Sequence, residues 1–182
     1  MKGSALASRL QWVRLNHGEA GVNRLAAAVS PDLRARVEQG VVMARWYPFD
    51  HFVELNLAID RVYGHGDQTL VRLLGRHGAD ANLTTIYRLF FKVGTVKWVL
   101  GRASRLWNLH YDSGHMVVRS LGPRQVEFEV VDFATPHRAH CLSVMGWAER
   151  SVELSGGRDV TTTEVSCRAL GAERCVFRLA WD

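Results

Sequence analysis

Apolar positions along the chain change their spacing near residue 111: before it they recur every three or four residues, and after it they alternate. Leu6, Leu10 and Val13, with Trp12 beside them, predict a helix over Ser4–Asn16 that Gly18 ends. A second helix is expected from Glu19 to Val29. Ser30-Pro31-Asp32 then opens a third, with an N-cap followed by proline in the first turn. Val41–Trp46 reads as a short extended or turn segment, and Tyr47 before Pro48 as extended backbone. From Pro48 the helical spacing returns at Phe49, Phe52, Val53, Leu55, Ile59 and Val62. Gly64-His65-Gly66 closes that helix, and Asp67 caps the next, carried by Leu70, Leu73 and Leu74. Ile86, Leu89 and Phe90, then Val96, Val99, Leu100, Ala103, Leu106 and Trp107, predict two more helices separated near Gly94.

After Tyr111-Asp112-Ser113-Gly114 the period is two. His115–Leu121 and Gln125–Phe133 form a hairpin across Gly122-Pro123-Arg124, with Val126, Phe128 and Val130 alternating against Gln125, Glu127 and Glu129. Ala139–Ser155 is a helix, apolar around most of its circumference and so expected to be buried centrally. Asp159–Cys167 and Cys175–Trp181 are two further strands joined around Gly171. The expected class is α+β: an N-terminal helical bundle packed on a small antiparallel sheet with the C-terminal order β-β-α-β-β. At 182 residues the chain suits a single domain with one core, its helical half spanning 1–110 and its sheet half 111–182.

Charge changes this picture little. The net charge is +5, but the arginines are spread along the chain, which reads as a solvated basic surface rather than a nucleic-acid footprint. No segment has the length and apolarity of a signal peptide or a membrane span, so a cytoplasmic protein is expected, with neither nucleic acid nor membrane as partner. Gly64-His65-Gly66 follows a helix and lacks the third glycine of a dinucleotide fingerprint, and no Gly-x-Ser-x-Gly or phosphate loop is present. No catalytic constellation is found, and the chain is not expected to be an enzyme.

Three cysteines, an odd number, argue against a disulfide framework. Cys141 heads the long apolar helix, Cys167 ends a strand and Cys175 opens the last one, while Glu164 lies three residues before Cys167. A hairpin around Gly171 would set Cys167 across from Cys175. Three thiolates and a carboxylate suit a closed tetrahedral zinc site; three buried, inert cysteines suit the same pattern. Among eight histidines none is marked by motif as a haem ligand. Tyr87, Phe90, Phe91, Trp98, Trp107, Phe128, Phe133 and Trp147 gather where the helical half should meet the sheet. They are either core or the lining of an apolar pocket.

The run Glu164-Val165-Ser166-Cys167-Arg168-Ala169-Leu170-Gly171-Ala172-Glu173-Arg174-Cys175-Val176-Phe177 resembles the C-terminal signature of the 4-vinyl reductase-like domains, which include sensory modules of aromatic-responsive bacterial transcription activators. Leu10-Gln11-Trp12-Val13-Arg14, Trp46-Tyr47-Pro48-Phe49, Tyr87-Arg88-Leu89-Phe90, Tyr111-Asp112-Ser113-Gly114 and Gly146-Trp147-Ala148-Glu149-Arg150 also resemble an uncharacterised family abundant in myxobacteria. Both families are similar in fold to haem-nitric-oxide-binding and Golgi-transport ligand-binding domains. The resemblance implies a structural zinc held by Cys141, Glu164, Cys167 and Cys175. It also implies a non-catalytic sensory domain for a small apolar or aromatic ligand, with Tyr87, Phe90, Trp98, Trp107, Phe128 and Trp147 as the pocket. Such a domain would signal through a downstream protein or its own dimerisation. A ligand-free interaction scaffold, like the trafficking relatives, is the alternative.

Overall fold

The computed structural model of the protein describes residues 1–86 and 103–182. Helix α1 (Gly3–Ala27) buries Leu6, Leu10 and Val13, and breaks at Gly18, whose φ of 66° takes it out of helical geometry. The two helical stretches that the sequence predicts thus meet at a kink, and glycine supplies the left-handed residue there. Helix α2 (Pro31–Gln39) starts as expected, with Ser30 Oγ accepting the Leu33 N–H. Helix α3 (Phe49–Tyr63) lays Phe52, Leu55 and Ile59 against α1.

Helix α4 (Thr69–Ile86) is capped twice. Asp67 accepts the Thr69 N–H at 3.0 Å, and the buried Asp60 carboxylate of α3 accepts the N–H groups of Gln68 at 2.7 Å and Leu70 at 3.2 Å. A carboxylate at a helix N-terminus satisfies orphan donors and opposes the positive end of the dipole. Here it also ties α3 to α4. Helix α5 (Ala103–His110) leads into the sheet. The helices expected around Leu89, Phe90 and Val96 lie largely outside the described residues.

Strands β1 (His115–Gly122), β2 (Gln125–Val131), β3 (Thr161–Ser166) and β4 (Cys175–Ala180) form one antiparallel sheet in the order β1-β2-β4-β3, with helix α6 (Arg138–Leu154) between β2 and β3. The α+β class and the β-β-α-β-β order are therefore those the sequence predicts. Val126, Phe128 and Val130 of β2 and Cys175, Phe177 and Leu179 of β4 turn one face of the sheet onto Cys141, Val144, Met145, Ala148 and Val152 of α6. The other face carries a cross-strand ladder in which Arg119 meets Glu129 at 2.6 Å and Arg178 meets Glu127 at 3.0 Å.

On its far side α6 packs on α4 through glycine. A Cβ at Gly75 would collide with the carbonyl oxygen of Ser143, and one at Gly146 with the carbonyl oxygen of Arg72. The two backbones touch in both directions. Around the crossing, Arg72 grips the buried Glu149 carboxylate with two donors, Arg76 meets Glu153 at 2.8 Å, and Arg150 meets Asp80 at 2.8 Å. Bidentate arginine–carboxylate pairs fix orientation as well as attraction. Among the described residues no helix is long and apolar enough to cross a membrane.

Gly75→Ala and Gly146→Ala are each expected to lower stability by about 1–3 kcal/mol, the usual range for overpacking. The gain in helix propensity, about 1 kcal/mol, works the other way and is outweighed, because a carbonyl oxygen has no rotamer in which to escape. Urea midpoints measure the balance; unchanged midpoints in both variants would mean that the helices do not touch there.

Candidate ligand site

Where the layers meet, the protein forms a partly open pocket of about 50 Å³. Met1, Arg9 of α1 and Phe52 of α3 form one wall, and Gly78 and Asn82 of α4 a second. Trp107 and His110 close it from α5, Tyr111 from the connection that follows, Met116 from β1, and Ser143, Val144 and Trp147 from α6. Of the pocket residues expected from the sequence, Trp107 and Trp147 are placed on it. Phe128 is not: strand alternation aims it into the core between sheet and α6. Tyr87, Phe90, Phe91 and Trp98 lie outside the described residues.

Arg9 dominates the polar end. It is 3% exposed. Its Nε donates to Asn56 Oδ1 at 3.1 Å, its Nη1 to Ser8 Oγ at 3.1 Å, and its Nη2 to Ser143 Oγ. The guanidinium also stands 4.9 Å from the centre of the Phe52 ring. Burial pushes its pKa down to about 10, which leaves it charged at neutral pH. Sequence reading passed over this residue, although one signal was present: Arg9 falls three residues after Leu6 and four before Val13, on the apolar stripe of its own helix.

His110 lines the same cavity, with Nδ1 3.3 Å from Ser4 Oγ. Burial first, then the charges of Arg9 and Lys2, push its pKa down to about 4. His140 lies behind, stacked on Phe133 at 4.6 Å and met edge-on by Tyr111, Phe49 and Trp107. Its Nε2 finds no partner among the described residues. Burial, with His137 and Arg9, pushes its pKa down to about 3. Both imidazoles are neutral around pH 7.

The three cysteines do come together, at the far end of α6. Cys141 Sγ lies 3.5 Å from Cys167 Sγ and 3.9 Å from Cys175 Sγ, and all three residues are buried. Cys175 Sγ shares a hydrogen bond with Cys141 Sγ and accepts the backbone N–H of Arg168, which pulls the Cys175 pKa down to about 6, while the same sharing pushes that of Cys141 up. Glu164 does not join them. Its carboxylate is bound by Arg138, and the group of close ligand atoms among the described residues is Cys141, Cys167 and Cys175 only.

No protein-family model matches the chain, and no curated protein matches it in sequence. Solved structures do match in fold. An H-NOX protein from S. oneidensis in its Fe(II)NO ligation state superimposes with a TM-score of 0.79 at 15% identity, covering 100% of this chain and 99% of that one. An oxygen-binding H-NOX domain related to soluble guanylate cyclases gives 0.73 at 12% identity, covering 100% and 95%. An unliganded Fe(II) H-NOX protein from K. algicida gives 0.72 at 11%, covering 100% and 97%. The chain has the H-NOX fold.

Two expectations are thereby corrected. The likeness to 4-vinyl reductase-like domains, and to the myxobacterial family with them, gives way to the H-NOX fold. Its carrying motif is a local device: Arg168–Leu170 is a 3₁₀ turn ended by Gly171 at φ 91°, with Cys167 O accepting from Leu170 and Ala172. Any tight strand connection of this shape needs that glycine. The structural zinc is also withdrawn. The fold neighbours are iron proteins by their descriptions, and the fourth ligand, Glu164, is committed to Arg138.

The two depressed histidines make a pH prediction. Between about pH 6.5 and 4 the unfolded chain binds protons that folded His110 and His140 refuse, so stability falls as pH falls through that window. His140→Phe keeps the ring packing and removes one of the two groups. Its urea midpoint should drop less than the wild-type midpoint between pH 7 and pH 4.5; parallel drops would place the acid sensitivity elsewhere.

Proposed function

We propose that the protein is a non-catalytic sensory domain that binds a small ligand in the cavity between its helical and sheet halves and passes the bound state to a partner protein. The supporting observation is where the cavity lies. Its wall draws on α1, α3, α4, α5, β1 and α6, so a ligand there bears on every layer at once. A fold neighbour described as an oxygen-binding domain related to soluble guanylate cyclases is consistent with sensing.

The aromatic ligand expected from the sequence is set aside on size. An engineered cavity of about 150 Å³ is what benzene occupies, three times the volume here. Haem, the group implied by the fold neighbours, does not fit the residues present either. Drug-sized ligands already need roughly 300–1,000 Å³, whereas Arg9, Phe52, Trp107 and Tyr111 line a pocket of about 50 Å³. All eight histidines are among the described residues, and His110 is the one that lines the cavity. The same neutral imidazole is what favours haem as a second reading.

Haemin titrated into the purified protein should keep the spectrum of free haemin, with no saturation at one equivalent. A sharp new absorption band that saturates at one haem per chain, and is lost in His110→Ala, would establish a haem site and remove the small-ligand reading.

A further inference from the structure

Arg9 is a buried charge with no carboxylate partner among the described residues. No carboxylate of the described residues pairs with it, and residues 83–104, which include the whole undescribed stretch, contain neither aspartate nor glutamate. The buried carboxylate of Asp60, one turn along α3 from the Asn56 that Arg9 contacts, is spent on the N-terminus of α4. Buried charges are as a rule paired, because removing an ion from water costs several kcal/mol. The neighbours of Arg9 do not help: Asn56, Ser8 and Ser143 are neutral acceptors, and His110 and His140 are held neutral around it. A guanidinium has five N–H donors, and three are used.

We infer that Arg9 holds the charged end of a small planar oxyanion of three or four heavy atoms, a short-chain carboxylate or an inorganic ion of that shape. This rests on the cavity being a ligand site, and goes further by naming what enters. Size favours a small ion. An engineered cavity of about 150 Å³ takes the six heavy atoms of benzene, so about 50 Å³ takes roughly two, and the remaining atoms of such an ion lie at the partly open mouth of the pocket. Shape follows from the fork of a guanidinium, which matches two oxygens in one plane. Polarity agrees: Arg9, Asn82 and Ser143 give the cavity a polar side, while Val144, Trp147 and Met116 give an apolar one that suits a methyl group.

The test uses the full chain and four probes. Thermal midpoints are measured in sodium acetate, sodium nitrate and sodium chloride at equal ionic strength, and in acetamide, the neutral isostere of acetate. Acetate or nitrate should raise the midpoint by about 2 °C or more over chloride when in large excess over its Kd, with no rise in acetamide. Arg9→Met, which keeps side-chain length and removes the charge, should lose the response. Equal responses to acetate and acetamide, or an acetate response that survives in Arg9→Met, would overturn the oxyanion while leaving a neutral ligand in the cavity. No response to acetate or nitrate in the wild type would overturn it as well. Xenon then separates the two readings, since it needs only an apolar void: a xenon NMR shift in the wild type, reduced in Val144→Phe, keeps the cavity as a site, and its absence removes that too.

Discussion

Everything in this fold leans on the place where α4 crosses α6 with no side chain between them. Gly75 sits against the Ser143 carbonyl and Gly146 against that of Arg72, so the two backbones fix each other's height and rotation. Glycine's lack of a Cβ permits the approach, and the approach recovers in dispersion contacts what glycine costs in helix propensity. The charges around the crossing, Arg72 to Glu149 and Arg76 to Glu153, then stop the helices from sliding. Because α6 lies between α4 and the sheet, one contact sets the distance between the helical half and the strands.

That same contact builds the cavity. Ser143, whose carbonyl meets Gly75, turns its hydroxyl to Arg9. Gly78, one turn along α4 from Gly75, leaves room for the Arg9 guanidinium where a Cβ would stand 2.6 Å from Nη1. A rigid helix crossing thus places an arginine from a third helix inside the protein. Low dielectric around it has two consequences: it strengthens any interaction Arg9 makes with an anion, and it keeps the surrounding imidazoles uncharged.

The candidate chemistry was partly legible. Cys141, Cys167 and Cys175 meet because a helix start and two strand ends are local features that turn signals reveal. Glu164 was misjudged for a tertiary reason. The register between β3 and β4 shifts between Glu164 and Ser166, and the carboxylate is taken by Arg138 of α6 rather than by the thiols. Trp107 and Trp147 line the cavity, and large aromatics at helical spacing next to a change of period mark a meeting of layers. Phe128 shares their composition but sits on a strand, where alternation decides its side.

Read by itself, the sequence determined the order and kind of the described elements, the break at Gly18, the cap at Ser30 and the α+β class. Each of these follows from side-chain spacing or backbone freedom within a few residues, so no distant partner has to be known. Only the tertiary structure decided which glycines are contacts rather than breaks, that Arg9 is interior, that Asp60 caps a neighbouring helix, and how small the cavity is. Those depend on which surfaces meet and how closely. A small change in the α4–α6 distance would alter the glycine contacts, the surroundings of Arg9 and the cavity, and leave the pattern of apolar and polar residues untouched.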